Sequence, residues 1–486
     1  MVKPDYDLFE IARMAMISHG LEPDFSKEVI EELKGVTEDS KGESEDLPDL
    51  TNLPWCSIDN DDSMDLDQIT VSEPHQAGMK ILVGVADVDH LVKIGRPIDG
   101  HAKKNTTSIY TGVQLFPMLP EKLSTDLTSL SEDKDRVAII IEMVLNQNGE
   151  IDASNVYRAR VRNQAKLAYN HVAAWLDGKG PLPERAQKVK GLGEQLRIQN
   201  QFAQKMRKIR LQHGALELET IEPRAVMKDG FVVDLKHELK NCAKELIEDF
   251  MIGANGVTAR FLTQAGYPTL RRVVRSPKRW PRIVQIAREL GEHLPEEPDS
   301  KALAKFLSLR READPLRFPD LSLTVIKLLG RGEYLLNEPG QIPLGHFGLA
   351  VQDYSHSTAP NRRFPDLITQ RLLKAALEKK TSPYTLDDLY ELATHCTAQE
   401  NASDKVERQV RKSASAMFMA PHIGEHFDAI IMGASEKGTW ARLLHPPVEG
   451  KLVHGQNGLD VGDRVRVKLV MIDVLRGFID FVKVSN

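Results

Sequence analysis

The chain has little cysteine and no long hydrophobic run. Its three cysteines, Cys56, Cys242 and Cys396, lie far apart and match no metal-binding spacing. This scarcity argues against a disulfide-rich secreted protein and favours a reducing compartment. No apolar stretch approaches the roughly 18 residues of a membrane span, and residues 1–7 have neither the basic start nor the apolar stretch of a secretory signal. We therefore predict a cytoplasmic, monomeric protein without membrane segments.

The acidic residues are concentrated at the front of the chain. Residues 1–50 contain 14 Asp or Glu and 5 Lys or Arg, whereas the whole chain of 486 residues has a net charge of −6. The remainder is therefore slightly basic. Basic clusters recur within it at 158–162, 205–210, 271–275, 278–282 and 408–412. One such cluster is usually a solvated helix face, but the whole series would line a path for a polyanion.

Hydrophobic patterning divides the chain into three predicted regions. Residues 1–50 hold two amphipathic helices, 5–18 and 26–34, and an acidic linker over 38–49. Residues 51–420 mix apolar strand-like runs with long helical stretches, which is typical of one large α+β domain. Those helices are predicted at about 184–211, 240–264, 365–379 and 386–415. Residues 421–486 hold five short strands, which is typical of a small barrel, predicted at 427–432, 439–444, 448–453, 464–472 and 478–484.

Five carboxylates crowd one short polar segment, at Asp59, Asp61, Asp62, Asp65 and Asp67. Like charges this close raise one another's pKa, so a folded protein rarely gathers them without a cation or another positive partner. All-oxygen ligands favour magnesium, manganese or calcium. A calcium-binding EF-hand loop is a weaker interpretation, because Met64 stands where that loop needs glycine and Thr70 where it needs a bidentate glutamate.

The last region resembles the S1-type, RNA-binding version of the OB fold. The resemblance rests on G-T-W-A-R-L at 438–443, V-E-G-K-L-V at 448–453 and V-G-D-R-V-R-V-K at 461–468. OB barrels present basic and aromatic side chains to single-stranded nucleic acid. The candidate RNA-binding residues are Trp440, Arg442 and Lys451, with His454 and Phe478 as further candidates. Alternatively, Trp440 and Phe478 fill the core of the barrel.

Ordered motifs over roughly residues 15–486 resemble the ribonuclease II family, whose catalytic domain is called RNB. The segment I-D-N-D-D-S-M-D-L-D-Q at 58–68 is similar to the family loop I-D-x-x-x-x-x-D-x-D-D. The segment Y-S-H-S-T-A-P-N-R-R-F-P-D at 354–366 is similar to Y-x-H-x-T-S-P-I-R-R-Y-x-D. Further matches lie at 84–88, 107–110, 117–120, 165–169 and 246–251. The resemblance implies a large mixed α/β RNB domain with a short N-terminal helical segment and a C-terminal five-stranded OB barrel.

The resemblance also implies processive hydrolysis of single-stranded RNA from its 3′ end to nucleoside 5′-monophosphates, with Mg²⁺ or Mn²⁺ as cofactor. It implies metal ligands at Asp59, Asp65, Asp67 and the position of Gln68. The implied catalytic residues are Asp65, Asp67, Tyr110, Arg362 and Glu407, and the implied ribose-sensing residues are Tyr169 and Glu248. A planar guanidinium suits Arg362 because it donates in parallel to phosphate oxygens. The competing structural interpretations are an ion pair of Arg362 with Asp366 and core positions for Tyr110 and Tyr169.

The chain departs from the family pattern at two places. Gln68 replaces a carboxylate, and a neutral amide binds a hard dication more weakly, so the alternative function is a catalytically impaired RNA-binding protein. A nuclease acting on DNA is a third, weaker hypothesis, since Tyr169 and Glu248 match ribose-sensing positions. The helical segment also stands where family members carry cold-shock-type barrels. We expect a more open RNA entrance and a weaker hold on long single strands.

Overall fold

The computed structural model describes residues 7–37, 46–76, 78–219, 223–228, 231–237, 240–435, 438–459 and 461–484. Residues 5 and 6 of the first predicted helix and 38–45 of the predicted acidic linker lie outside the described residues. The α-helices are α1 (Leu8–Ser18), α2 (Lys27–Gly35), α3 (Pro97–Asn105), α4 (Tyr169–Leu176), α5 (Glu184–Lys188), α6 (Leu192–Gln212), α7 (Cys242–Gln264), α8 (Trp280–Glu289), α9 (Ser300–Ala313), α10 (Phe318–Leu329), α11 (Phe364–Leu377) and α12 (Leu386–Met419).

The strands up to the middle of the chain are β1 (Cys56–Asp59), β2 (Gln68–His75), β3 (Gly78–Ala86), β4 (Ile109–Tyr110), β5 (Leu115–Phe116), β6 (Asp135–Leu145), β7 (Ile151–Arg162) and β8 (Ala165–Ala168). Those that follow are β9 (Pro223–Lys228), β10 (Phe231–His237), β11 (Thr269–Val273), β12 (Glu333–Asn337), β13 (His426–Ser435), β14 (Gly438–Leu443), β15 (Glu449–His454), β16 (Arg464–Asp473) and β17 (Phe478–Lys483). None of the helices in the described ranges is long and apolar enough to cross a membrane.

A six-stranded sheet forms the centre of the larger domain, in the order β7-β6-β3-β2-β1-β8. Its neighbours are antiparallel except for β1 and β8, which run parallel. Strands β3 and β6 are apolar and buried along most of their length, because α7 packs across both of them. Each fully buried Val, Leu or Ile contributes about 1.5–3 kcal/mol. The predicted α+β class is confirmed.

The carboxylate segment connects the end of β1 with the start of β2, at one end of the sheet. Asp59 at the end of β1 lies opposite Ala168 at the end of the parallel strand β8. The carboxylate segment therefore begins beside Tyr169, the first residue of α4. It ends at Gln68, where β2 starts. The predicted helix over 184–211 is divided into α5 and α6 because Gly191 adopts a left-handed backbone conformation, φ +79°, between them.

The C-terminal strands close into a barrel in the order β13-β14-β15-β17-β16. Pairing between β15 and β17 is parallel, and the other pairs are antiparallel. The five predicted strands match the observed ones within a few residues, so the predicted small barrel is confirmed. The helix α12, 34 residues long, packs against β16 and β17 of the barrel and also against α1. The predicted domain boundaries at 50/51 and 420/421 stay predictions.

A buried network of charges attaches α11 to the sheet. Arg371 is 3% exposed and lies 2.9 Å from Asp89 and 2.8 Å from Asp99. Three residues further along α11, Lys374 lies 3.0 Å from Asp87 and 2.8 Å from Asp89. Burial would raise the pKa of Asp89, but Lys374 and Arg371 outweigh it and lower that pKa. Because α11 follows Arg362 directly, this network fixes the segment that carries the candidate catalytic arginine.

We predict that Arg371→Met strongly destabilises the protein. The change leaves the carboxylates of Asp89 and Asp99 without their buried partner, and breaking such a pair costs about 3–5 kcal/mol. Urea unfolding followed by circular dichroism should show a lower midpoint. The control is Lys380→Met, because the Lys380 side chain is 71% exposed and paired only with Glu378; its effect should stay within about 0.5 kcal/mol. Equal midpoints for the two variants would contradict the prediction.

Candidate active site

Asp67 and Arg362 join two segments that are far apart in the chain. Asp67 is 1% exposed. Its Oδ1 accepts the backbone N–H of Asn361 at 2.8 Å, and its Oδ2 accepts Nε–H of Arg362 at 3.1 Å. Burial raises the pKa of Asp67 to about 7, although Arg362 opposes the shift. Burial lowers the pKa of Arg362 while Asp67 raises it, and the net change is upward, so the guanidinium is charged.

Tyr110 links two further candidate residues. Its hydroxyl donates to Asp65 Oδ2 at 3.0 Å, and its backbone N–H donates to Glu407 Oε1 at 3.4 Å. Burial raises the pKa of both carboxyl groups. Desolvation and the charge of Asp65 raise the pKa of Tyr110, so its hydroxyl stays protonated and acts as a donor. The structure therefore brings Asp65, Asp67, Tyr110, Arg362 and Glu407 together.

The other predicted metal ligands lie at the two ends of the same loop. Asp59 accepts hydrogen bonds from the backbone N–H of Asn60 at 2.7 Å and from Ser63 Oγ at 2.9 Å. Burial is the main cause that raises the pKa of Asp65, and the charge of Asp59 adds to it. Gln68 is 8% exposed and lies opposite Val85. Across the described part of the chain, no three His, Cys, Asp or Glu side chains form a preassembled metal site. The ligand set Asp59, Asp65, Asp67 and Gln68 stays a prediction.

Tyr169 and Glu248 lie on two helices that pack together, α4 and α7. The ammonium of Lys244 on α7 is 5.8 Å from the centre of the Tyr169 ring. Glu248, one turn further along α7, pairs with Lys240 at 2.5 Å and is 39% exposed. Tyr169 is thus beside the loop that starts at Asp59, and Glu248 is accessible from solvent. Their role in sensing ribose stays a prediction.

Trp440 and Lys451 are cross-strand neighbours on the outside of the barrel. Trp440 is 37% exposed, and a Cβ added at Gly438 would come within 3.3 Å of its ring, so glycine at this position leaves room for the indole. Phe478 is 50% exposed. The alternative that Trp440 and Phe478 fill the barrel core is therefore excluded. Sites for single-stranded nucleic acid combine exposed aromatic rings with basic side chains, and the role of Trp440 and Lys451 in binding RNA stays a prediction.

Arg442 does not lie with them, so the predicted RNA contact at this residue needs correction. It is 7% exposed, and its Nη1 lies 2.9 Å from Oδ1 of Asp320 in the first turn of α10. Alternation along β14 places Arg442 on the same side as Trp440, as the sequence suggests. However, α10 covers this end of the strand. Arg442 therefore attaches the barrel to the larger domain.

Two sets of contacts at the site were not predicted from the sequence. The backbone N–H of Asn361 binds Asp67, and Asp366 accepts hydrogen bonds from Ala359 N–H at 2.9 Å and from Arg363 Nη2 at 2.7 Å. The competing interpretation that paired Arg362 with Asp366 is wrong, because the neighbouring arginine makes that ion pair. Two adjacent arginines before α11 could have suggested two separate roles, because neighbouring side chains point in different directions. They could not indicate which arginine faces Asp67.

Comparison with known domain families matches residues 48–379 to the RNB domain and residues 425–484 to the RNase II-type exonuclease C-terminal S1 domain. The chain belongs to the RNB family. Ribonuclease R of Aquifex aeolicus (strain VF5) is 30% identical over 496 residues, which cover 95% of this chain and 68% of that protein. Ribonuclease R of Thermotoga maritima is 29% identical over 514 residues, which cover 97% of this chain and 70% of that protein.

Solved structures agree on the fold of this RNB-family chain. The apo form of Mycoplasma genitalium RNase R matches with a TM-score of 0.88 and 22% sequence identity, covering 98% of this chain and 78% of that one. The two domain-family matches confirm the resemblance to the ribonuclease II family that the sequence motifs indicated.

We predict that Arg442→Met destabilises the protein because it leaves Asp320 buried and unpaired, at a cost of about 3–5 kcal/mol. The double variant Arg442→Met/Asp320→Leu should recover most of this loss, since no charge is then buried without a partner. Its affinity for single-stranded RNA should equal that of the wild type. Lys451→Met is the matched comparison: its stability should hardly change while RNA binding weakens. If the double variant also bound RNA weakly, Arg442 would be an RNA contact after all.

Proposed function

We propose that this chain is a divalent-metal-dependent exoribonuclease that hydrolyses single-stranded RNA processively from the 3′ end and releases nucleoside 5′-monophosphates. Membership of the RNB family supports the reaction class. The observation that carries the proposal for this chain is the Asp67–Arg362 pair beside the Asp65–Tyr110 hydrogen bond. A cytoplasmic location and a monomeric state belong to the same proposal.

The donors of the loop between β1 and β2 suit a hard divalent cation. Asp59, Asp65 and Asp67 supply carboxylate oxygens, and the amide oxygen of Gln68 is a neutral fourth donor. Burial raises the pKa of Asp65 and of Asp67, and a dication close to them would favour their charged forms. Mg²⁺ or Mn²⁺ held there would polarise the scissile phosphate and lower the pKa of an attacking water.

Arg362 is well placed to stabilise charge on the phosphate. Its bond to Asp67 uses Nε, so the terminal nitrogens Nη1 and Nη2 are available, and the side chain is 40% exposed. A guanidinium fixed in this way donates to two phosphate oxygens at once. Because Asp67 holds it before the substrate arrives, little reorganisation is needed when negative charge develops in the transition state.

The remaining residues have roles in holding RNA. The Tyr110 ring is 46% exposed and its hydroxyl is fixed by Asp65, so the ring can stack on the 3′-terminal base. Glu407 holds the backbone of Tyr110. Tyr169 and Glu248 would recognise the ribose 2′-hydroxyl, which distinguishes RNA from DNA. Trp440 and Lys451 would bind single-stranded RNA upstream of the cleaved end.

Gln68 is the departure from the family loop that motivates a second candidate function, an RNA-binding protein that does not cut, although the family matches support the exoribonuclease. The amide contributes no negative charge to a dication, so metal affinity is lower than with the carboxylate of the family loop. The two candidates share the RNA-binding residues and differ only in whether the metal-dependent step takes place.

We predict that the protein with Mg²⁺ or Mn²⁺ degrades a 5′-labelled single-stranded RNA to a ladder that shortens from the 3′ end. Asp67→Asn should slow this reaction by at least about 100-fold, the typical effect of losing one preorganised electrostatic contact. Asp61→Asn is the matched control, because Asp61 is exposed in the same loop and should be dispensable. A DNA oligonucleotide of the same sequence should stay intact. Equal rates for the two variants would contradict the assignment of Asp67.

We also predict that Gln68→Asp lowers the Mg²⁺ concentration needed for half-maximal activity by about tenfold, because the added negative charge strengthens binding of the dication. Magnesium titration of the initial rate measures this effect. Asn60→Asp adds a charge to the same loop outside the proposed ligand set and should have little effect. If the wild type binds RNA without cutting it while Gln68→Asp cuts, the second candidate function is correct.

A further inference from the structure

The hairpin that carries Tyr110 has one buried and one exposed face. In the β4–β5 hairpin, Ile109 lies opposite Phe116 and Tyr110 lies opposite Leu115. Ile109 and Phe116 are 0% and 2% exposed, whereas Tyr110 and Leu115 are 46% and 42% exposed. Adjacent residues of a strand point to opposite faces. The packing of the buried face therefore fixes the position from which the Tyr110 ring reaches the candidate active site.

The buried face of this hairpin shares one hydrophobic cluster with the N-terminal helix α1 and with α12. Ile109 and Phe116 belong to a buried cluster that is separate from the main core. Its other members come from α1, the turn after it and α12: Ala12, Ala15, Met16, Leu21, Ala402, Val406 and Val410. Met16 is 0% exposed. Since α12 also carries Glu407, the acceptor for the backbone of Tyr110, the hairpin is held by α1 and α12 together.

A pair of amide hydrogen bonds fixes the chain just before the hairpin. Asn105, which is 1% exposed, accepts the N–H of Glu22 at 2.9 Å and donates to the carbonyl of Glu22 at 2.8 Å. Glu22 belongs to the turn between α1 and α2. Three residues after Asn105, the N–H of Ser108 donates to the carbonyl of Arg362 at 2.9 Å. The segment leading to Tyr110 is thus attached both to the N-terminal turn and to the arginine segment.

We propose that the helical segment over residues 7–36 is a positioning element for Tyr110 and, through Tyr110, for the 3′-terminal nucleotide. The inference rests on the proposed function, because it concerns the nucleotide that the exonuclease would cleave. The acidic character of residues 1–50 disfavours a direct phosphate contact by this segment. Its effect on RNA is therefore indirect, through the packing under the hairpin. A misplacement of about 1 Å at a reacting group lowers the rate by about 100-fold.

The first test compares Met16→Ala with Met14→Ala. Both change the same residue type on α1, but Met16 is buried in the cluster that includes the hairpin and Met14 is 54% exposed. An RNA with 2-aminopurine at its 3′ end is bound without divalent metal, and the quenching of its fluorescence measures stacking of the terminal base. We expect Met16→Ala to reduce the quenching and, with Mg²⁺, to lower kcat by about tenfold while KM hardly changes. Met14→Ala should match the wild type in both measurements.

The second test repeats Met16→Ala in a Tyr110→Ala background. If the helix acts through Tyr110, the two changes are not additive, and Met16→Ala causes no further loss of kcat. Its effect on the melting temperature should be the same in both backgrounds. An equal loss of kcat with and without Tyr110, or a lower melting temperature with unchanged quenching and kcat, would overturn the proposal.

A third variant keeps the proposal testable if Met16→Ala fails to fold. Asn105→Asp retains the acceptor for Glu22 N–H but loses the donor to the Glu22 carbonyl. It should reproduce the reduced quenching and the selective loss of kcat, and wild-type values for this variant would count against the proposal. Failure of the proposed function gives a different result: a wild type that quenches the probe but leaves the RNA uncut when Mg²⁺ is added.

Discussion

A buried carboxylate joins the two segments from which the candidate active site is built. Asp67 receives a backbone N–H and a guanidinium N–H from residues 294 and 295 positions later in the chain. Carrying a charge into such a site is costly unless it is paired and hydrogen-bonded. The pairing with Arg362 meets this requirement and at the same time sets the distance between the carboxylate loop and the arginine. The other catalytic candidates are arranged around this junction.

The supports of this junction are themselves buried polar contacts. The ionic network of Arg371 and Lys374 fixes α11, and the Arg363–Asp366 pair closes the segment just before that helix. Such pairs contribute modestly to net stability. They strongly destabilise any alternative arrangement of the segment, because a buried charge without a partner is unfavourable. The region therefore gains a well-defined geometry from interactions that add little to the free energy of folding.

The sequence allowed prediction of the features that depend on local pattern. The five barrel strands, the two N-terminal helices and the spacing of the carboxylates all followed from periodicity and residue type. The features that escaped prediction depend on contacts between distant segments. Alternation along β14 identifies the outward side of Arg442 but not the helix that covers it, and amphipathicity identifies the buried face of α1 but not the hairpin beneath it. The two adjacent arginines before α11 show the same limit, since only the folded chain distinguishes Arg362 from Arg363.

The long helix α12 has a mechanical consequence for RNA movement. Glu407 on this helix contacts the Tyr110 hairpin. Five residues later, Lys412 packs closely on the barrel: a Cβ added at Gly477 would come within 2.6 Å of the Cβ of Lys412. Five helical residues span only about 7.5 Å. The contact with the barrel and the contact with the hairpin therefore lie within about one and a half turns of the same helix. In the exoribonuclease that we propose, this short link would keep the barrel and the hairpin at a fixed separation, so that the RNA rather than the barrel moves after each cleavage.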